Sequence, residues 1–428
     1  MRVIADLHIH SKYSRATSQN MKISEISRFA KIKGLNLVGT GDFTHPRWFK
    51  ELSNELSEVD GTNLYCSLAH RQIPIMFMLT AEVSTIYNVG EKSKKLHHVI
   101  FTPNLETASQ INDRLTHFGN LEIDGRPFLT MSSSQLVEEI MQISDQNEVI
   151  PAHVWTPWFS LFGAFSGFDT IKDCYEDMTK YIHALETGLS SDPPMNWRLS
   201  SLDRFTLISN SDCHSPWPWR IGREANVLEL EQLSYTDVVD TIRKKDEKRF
   251  KYTIETNPAY GKYHWTGHRN CNVSFSPKEA IKYGNHCPVC GRKLTKGVEQ
   301  RIEELADRPQ EYKPEKPIGY KRLLPLSEII KAVSGVSYPG TKKVWNIYNL
   351  LIHKFGNEFS ILIDASKEEM CKIVDEQIAE AIVRVREEKA YVIPGYDGVY
   401  GQLVIFDESN QNVTKQLKPK QKSMADFM

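Results

Sequence analysis

At 428 residues the chain is long enough for two or three domains, and 40% hydrophobic with 25% charged residues is an ordinary globular balance. Those values exclude a disordered or fibrous chain, and no apolar run approaches the roughly 18 residues of a membrane-spanning helix. The net charge of -1 conceals an asymmetry: 21 Lys+Arg stand against 30 Asp+Glu over 1–242, but 14 against 5 over 243–301. An acidic first half beside a basic middle fits an enzyme that keeps carboxylates for metals and binds a polyanion next door.

Taken in chain order, the first 220 residues repeat one pattern. Short apolar runs end in a residue able to bind metal: the runs into His8 and His10, Asp42, Glu82, His153, Glu186, and Asp212 with His214. A further run, Val99-Ile100-Phe101, begins right after His97-His98, which makes seven candidate strands. Amphipathic stretches such as Ile23–Lys33 and 135–143 lie between them. Strands alternating with helices predict parallel βα units, and polar residues gathered at strand ends are where a (β/α) barrel puts its active site. The alternation stops near 244–251. A basic stretch with three clustered cysteines follows, then helices over 326–333, 344–355 and 367–389, a Gly-rich hairpin over 394–401, and a polar tail. The predicted divisions are 1–243, 244–312, 313–408 and 409–428.

On a strand, residues i and i+2 share a face, so Asp6, His8 and His10 are expected to point the same way. Asp212-Cys213-His214 repeats that geometry, and Glu82 and His153 add a carboxylate and an imidazole at strand ends between them. Mixed His and carboxylate ligation suits zinc, manganese or iron better than calcium. Five of the eight tryptophans follow a candidate ligand within five residues: Trp48, Trp155, Trp158, Trp217 and Trp219. Indoles around a site mouth make a pocket for a flat ring, and Arg220 and Arg223 could hold backbone phosphates; both sets could equally serve packing and surface pairing. His268 with Cys271, and Cys287 with Cys290, form two knuckles spaced for a closed tetrahedral zinc site, with His264 as a rival to His268. Lys278, Lys282, Arg292, Lys293 and Lys296 surround it, which fits phosphate contact or a purely structural staple. Gln421, Met424 and Phe427 in 421–428 resemble a sliding-clamp-binding peptide at the end of a Lys-rich tail.

The stretches Asp6-Leu7-His8-Ile9-His10-Ser11, Glu82, His98, His153 and Ser211-Asp212-Cys213-His214 resemble the polymerase-and-histidinol-phosphatase (PHP) phosphoesterases. That resemblance implies a distorted (β/α)7 barrel in an α/β protein, here followed by a small zinc module and a mainly helical C-terminal region. It implies one metal on His8, His10, Glu82 and Asp212, a second bridged by Glu82 to His98 and His153, and a third approached by His214. Thr40-Gly41-Asp42 departs from the usual Thr-Asp-His, so Asp42 would replace a histidine, with His45 nearby. Barrel, zinc module and the Pro394-to-Gly398 hairpin together resemble the endonuclease Q family. This implies a DNA-repair enzyme that hydrolyses the phosphodiester 5′ to uracil, hypoxanthine, xanthine or abasic sites by metal-activated hydroxide, leaving a 3′-hydroxyl. Asp212, His214 and Glu82 would be catalytic. Two or three zinc, manganese or magnesium ions and one structural zinc are expected, with DNA and a sliding clamp as partners. Met1 leads straight into Arg2-Val3-Ile4 with no signal-like apolar stretch, so a cytoplasmic protein is expected. The competing readings are a small-molecule phosphatase of the histidinol-phosphate type and a non-catalytic DNA-binding adaptor.

Overall fold

A computed structural model describes residues 1–406; the candidate clamp peptide 421–428 lies outside the described residues. Seven strands form one barrel: β1 (Arg2–Asp6), β2 (Leu37–Gly39), β3 (Met76–Val89), β4 (Lys92–Thr102), β5 (Glu148–Pro151), β6 (Ala184–Glu186) and β7 (Thr206–Ile208). β1–β2, β2–β3 and β6–β7 pair in parallel, while β3–β4 and β4–β5 are antiparallel. Closure is completed just past the strand ends. The Val154 N–H donates to the Glu186 carbonyl at 2.9 Å between β5 and β6, and the His10 N–H donates to the Cys213 carbonyl at 3.0 Å between β7 and β1.

These are the seven predicted runs, but one of them points the other way. Parallel βα units throughout were expected; β4 is instead the return arm of a hairpin. Val89 and Lys92 pair across Gly90 and Glu91 alone, and Gly90 takes φ +58°. A two-residue link can join only antiparallel strands, since parallel ones need a long crossover. The reversal explains an oddity of the sequence. In the parallel strands polar residues follow the apolar run, whereas β4 enters the same rim with its first half, so His97 and His98 precede Val99.

Beneath that rim the barrel is filled. One buried cluster takes Val3 and Ala5 from β1, Leu37 from β2, Met78 from β3, Val99 and Phe101 from β4, Ile150 from β5, Ala184 from β6 and Ile208 from β7. The interior is a packed floor for the site above it. Gly39 belongs to that tight packing: a Cβ there would lie 2.5 Å from the Leu7 carbonyl oxygen and Thr80 Oγ1. Outside, the helix Ile23–Lys33 buries Ile23, Ile26, Phe29 and Ala30. Ser133–Ile143 buries Leu136, Val137 and Ile140, and its start is capped by Ser132 accepting from the Gln135 N–H. Each fully buried aliphatic side chain contributes about 1.5–3 kcal/mol.

The sheet continues past residue 243. β8 (Ala225–Glu229) lies antiparallel on β1, and β9 (Phe250–Glu255) on β8. β10 (Thr266–His268) and β11 (Val273–Phe275) make a separate hairpin, and β12 (Gly319–Arg322) returns to pair with β9. The helices Leu326–Ser334, Lys342–Phe355 and Glu376–Arg386 share one hydrophobic cluster with the barrel helices. A buried ion pair crosses that boundary. Lys33 Nζ lies 2.6 Å from Glu358, which also accepts from the Leu326 N–H at 3.0 Å and the Tyr348 hydroxyl at 2.8 Å. β13 (Tyr391–Ile393) and β14 (Gln402–Val404) close a last antiparallel hairpin. No helix among the described residues is long and apolar enough to cross a membrane.

Candidate metal-dependent active site

Three residues at the barrel rim hold left-handed backbone: Asp42 at φ +50°, His153 at +30° and Asp212 at +46°. Non-glycine residues seldom adopt such angles, and packing maintains them mostly where side chains must be aimed for function. Glu82, fully buried on β3, is the centre of the rim. Its Oε2 lies 3.5 Å from His8 Nε2 and 3.3 Å from His10 Nε2, and His10 Nε2 lies 3.0 Å from Asp212 Oδ1. Its Oε1 lies 2.9 Å from His97 Nδ1 and 3.1 Å from His153 Nε2. One carboxylate therefore faces two ligand groups, His8–His10–Glu82–Asp212 and Glu82–His97–His153, whose donor atoms lie within 4.8 Å of one another.

The donor set fits divalent cations. His8 Nε2 is buried, lacks a hydrogen-bond partner and points at the carboxylates. Burial alone would strip protons from His8 and His10, but Glu186 and Glu82 around His8, and Asp42 and Asp212 around His10, outweigh it and raise both pKa values well above the ordinary imidazole range. Burial would likewise raise Glu82, yet His97, Arg126 and His8 hold it well below the usual carboxylate range. The cluster therefore stabilises positive charge, as a divalent-ion site requires. Outer partners fix the rings. Glu186 sits 2.9 Å from His8 Nδ1 and Asp42 3.0 Å from His10 Nδ1, leaving each Nε2 toward the site.

Several expected placements are corrected. Asp42 is not among the grouped ligands; fully buried, it accepts from His10, the Ser11 N–H and hydroxyl, and the Ser14 hydroxyl, so it holds His10 from behind. His97, not His98, faces Glu82. In the antiparallel register Ser84 is opposite His97 and Val83 opposite His98, and directly paired residues share a face, so His97 joins the face of Glu82. His98 turns outward with its ring 5.8 Å from Tyr175, and burial lowers its pKa to about 3. Asp6 accepts from the Ser211 and Gly222 N–H groups and belongs to neither ligand group. His214 stands beside the first group, its ring 4.4 Å from His10, without joining it. His45 stacks on Tyr13 at 4.5 Å.

The tryptophans divide. Trp48 and Trp155 are buried, donating respectively to the Gly41 carbonyl and to Asn196 Oδ1, so neither offers a face to a ligand. Trp217 and Trp219 stack on each other at 5.9 Å, and Trp219 meets Tyr338 and Trp345 of the C-terminal region. Trp158 alone of the five opens on the site. It is 41% exposed, stacked on Phe165 and edge-on to Tyr263. Arg223 donates twice to the Ser211 carbonyl, bracing the segment that carries Asp212, and Arg220 is exposed. Sequence reasoning missed Arg126, whose Nη1 lies 3.0 Å from Glu82 Oε2, and left Glu186 without a role. No spacing marks Arg126, which comes from a loop; Glu186 does end a predicted strand.

A cavity of about 360 Å³ opens over the second group, with His97, Arg126, His153 and Asp212 on one wall and Tyr263, His264 and Tyr400 on the other. The far wall is held by the last hairpin: the Gly395 and Gly401 N–H groups donate to the Ala259 and Tyr260 carbonyls, and Gly398 N–H to Lys262. That hairpin also grips the cysteine module, where Asp397 accepts from the Arg269 N–H at 2.7 Å. His268, Cys271, Cys287 and Cys290 converge there within 4.8 Å, a four-donor set suited to one metal ion, while His264 pairs with Glu299 at 3.5 Å outside it. Lys278, Lys282, Arg292 and Lys293 are exposed around the module, and Lys296 pairs with Glu304.

Residues 325–389 match the family described as MJ0043 C-terminal domain. The chain is 37% identical over 251 residues to the uncharacterized protein MJ0043 of Methanocaldococcus jannaschii, covering 58% of this chain and 31% of that relative, under a third of its length. It is 26% identical over 423 residues to the uncharacterized protein YqxK of Bacillus subtilis, covering 94% and 99%. The crystal structure of the lesion-specific endonuclease PfuEndoQ from Pyrococcus furiosus superposes with a TM-score of 0.84 at 34% identity, over 95% of this chain and 96% of that one. An Endonuclease Q complex with a 27-mer duplex substrate bearing an abasic lesion at the active site gives 0.83 at 33% identity, over 95% and 98%.

Proposed function

This chain belongs to the endonuclease Q family, and from that premise we propose that it nicks DNA on the 5′ side of a deaminated base or an abasic site, leaving a 3′-hydroxyl. The observation that carries the reading is Glu82, one buried carboxylate aimed at two ligand groups on the floor of an open cavity. Divalent ions bound there would supply a nucleophile at neutral pH and neutralise charge developing at phosphorus. The chain's own residues do the rest. Glu186 and Asp42 hold His8 and His10 with Nε2 facing inward. Arg126, beside Glu82, offers a fixed cation to a non-bridging phosphate oxygen. His214, about one third exposed and 3.8 Å from Asp212, is the group we assign to protonate the displaced oxygen.

Trp158, Tyr263 and Tyr400 give the cavity aromatic faces suited to an extruded base, and uracil or hypoxanthine costs less to extrude than a well-paired base. The exposed lysines and arginine of the zinc module extend a cationic surface for the duplex. A nicking assay tests the proposal. End-labelled DNA carrying deoxyuridine, deoxyinosine or no lesion is incubated with the protein and manganese or magnesium, beside an Asp212→Ala control. A single metal-dependent nick 5′ to the lesion, absent in the control, is expected. Turnover of a phosphomonoester with all DNA intact would give the barrel to small-molecule chemistry.

A further inference from the structure

Ile123 is the most exposed large hydrophobic side chain among the described residues, at 74%. A lone apolar side chain at a surface is ordinary. What sets this one apart is its mounting. The residues on either side of the loop tip are tied down: Leu121 is 3% exposed in the core, and Asp124, 7% exposed, accepts from both the Arg15 and Arg126 N–H groups at 3.1 Å. The Gly125 N–H donates to the Tyr13 carbonyl at 3.1 Å, and a Cβ on Gly125 would lie 2.3 Å from Asp42 Oδ2, so the loop backbone touches the carboxylate that holds His10. Further on, the Pro127 carbonyl accepts from the Ser84 N–H at 2.9 Å, two residues along β3 from Glu82.

The same loop thus sends Arg126 down to Glu82 and Ile123 up to solvent, three positions apart. A segment fixed at Leu121, Asp124, Gly125 and Pro127 has little freedom left, so Ile123 is presented to solvent on a rigid mount three residues from Arg126. Arg15, exposed and joined to the loop through its own N–H, adds a cation beside that mount. Phe128, 46% exposed, is a second exposed apolar side chain on the same segment.

We propose that Ile123 is a wedge: it enters the duplex at the step vacated by the extruded nucleotide and holds the stack open while the lesion occupies the cavity. The inference rests on the nicking activity proposed above. Apolar side chains inserted at a base step offset part of an unstacking cost of a few kcal/mol, and they do so only where a stack has to be opened. Ile123 is a positioning residue; it touches neither the ligand groups nor the scissile phosphate.

The experiment compares nicking of deoxyuridine paired in a duplex with nicking of the same deoxyuridine inside a short mismatched bubble. Wild type, Ile123→Ala and Ile123→Met are measured as kcat/KM on both, with thermal melting to confirm equal folding. Ile123→Ala is expected to fall about tenfold or more on the paired duplex and to stay within about twofold on the bubble, with Ile123→Met near wild type on both. Equal loss on both substrates, or no loss on either, overturns the wedge while leaving the nicking activity in place. Failure of the wild type to nick either substrate removes the activity itself, and the wedge with it.

Discussion

Replacing His97 or His98, adjacent in sequence, should produce opposite results. His98 is fully buried on the outer face of β4, and neither ring nitrogen has a hydrogen-bond partner. A buried unpaired polar group costs about 1–3 kcal/mol, so two such atoms set the scale of what His98→Leu could recover. Against that stands the lost edge-on contact with Tyr175, about 0.5–1.5 kcal/mol. The net expectation for His98→Leu is about 1–3 kcal/mol more stability at nearly constant volume, with metal content and activity unchanged. His97→Leu removes a nitrogen 2.9 Å from Glu82 Oε1 and 3.2 Å from His153 Nε2. Substitutions of outer partners alone lower metal affinity by roughly 10–100-fold, so loss of an inner donor should exceed that and cut nicking by at least about 100-fold. Denaturant titration gives the stabilities, elemental analysis the metal content, and the nicking assay the activity. If His98→Leu loses metal and activity while His97→Leu keeps both, the Ser84–His97 register and everything built on it is refuted.

Asp42→Asn keeps the shape behind His10 but not the charge, and metal affinity measured by competition with a chromogenic chelator should fall about 10–100-fold with the fold intact. The metal-free protein should lose stability as pH rises. His8 and His10 have folded pKa values above the ordinary 6.5, so their contribution is complete below that value and disappears as pH climbs through the raised ones; added manganese should restore the melting temperature, most strongly at high pH. Cys287→Ser should release one zinc per chain, read by elemental analysis, and weaken duplex binding more than it weakens turnover of a small phosphodiester. Lys33→Met leaves Glu358 buried without its cation and should cost about 3–5 kcal/mol, much of it recovered in the Lys33→Met/Glu358→Gln double variant; equal stability of the single and double variants would contradict the pairing.

The barrel was legible because its strands announce themselves twice, as apolar runs and as runs ending in His, Asp or Glu. His8, His10, Glu82, His153 and Asp212 could be named from that pattern, and the structure brings them together. The family resemblance misled at His98, one residue from the side chain that faces Glu82. The remedy lay in the Gly90-Glu91 link, short enough to force a hairpin and reverse the parity of β4. Asp42 misled for another reason: a carboxylate near imidazoles can either bind a metal or orient a ring, and only position decides which. Tryptophan proximity along the chain carried little, since Trp155 turns into the core two residues after His153 while Trp158 turns out. Arg126 and Ile123 sit on a loop without periodicity, so no spacing could have pointed to them.

The β3–β4 hairpin also has a bearing on the order in which the two ligand groups can assemble. Glu82 and His97 are fifteen residues apart and meet through an uninterrupted antiparallel ladder with a tight turn, so their encounter closes a short loop. His10 and Asp212 are separated by 202 positions and cannot meet until β7 has been made and has docked on β1. During synthesis, two of the three donors of the second group are within reach once residue 102 has emerged, whereas the first group waits for the whole ring to close. A divalent ion captured early by the hairpin would bias it toward the geometry that His153 later completes, and the metal would then act on folding as well as on chemistry.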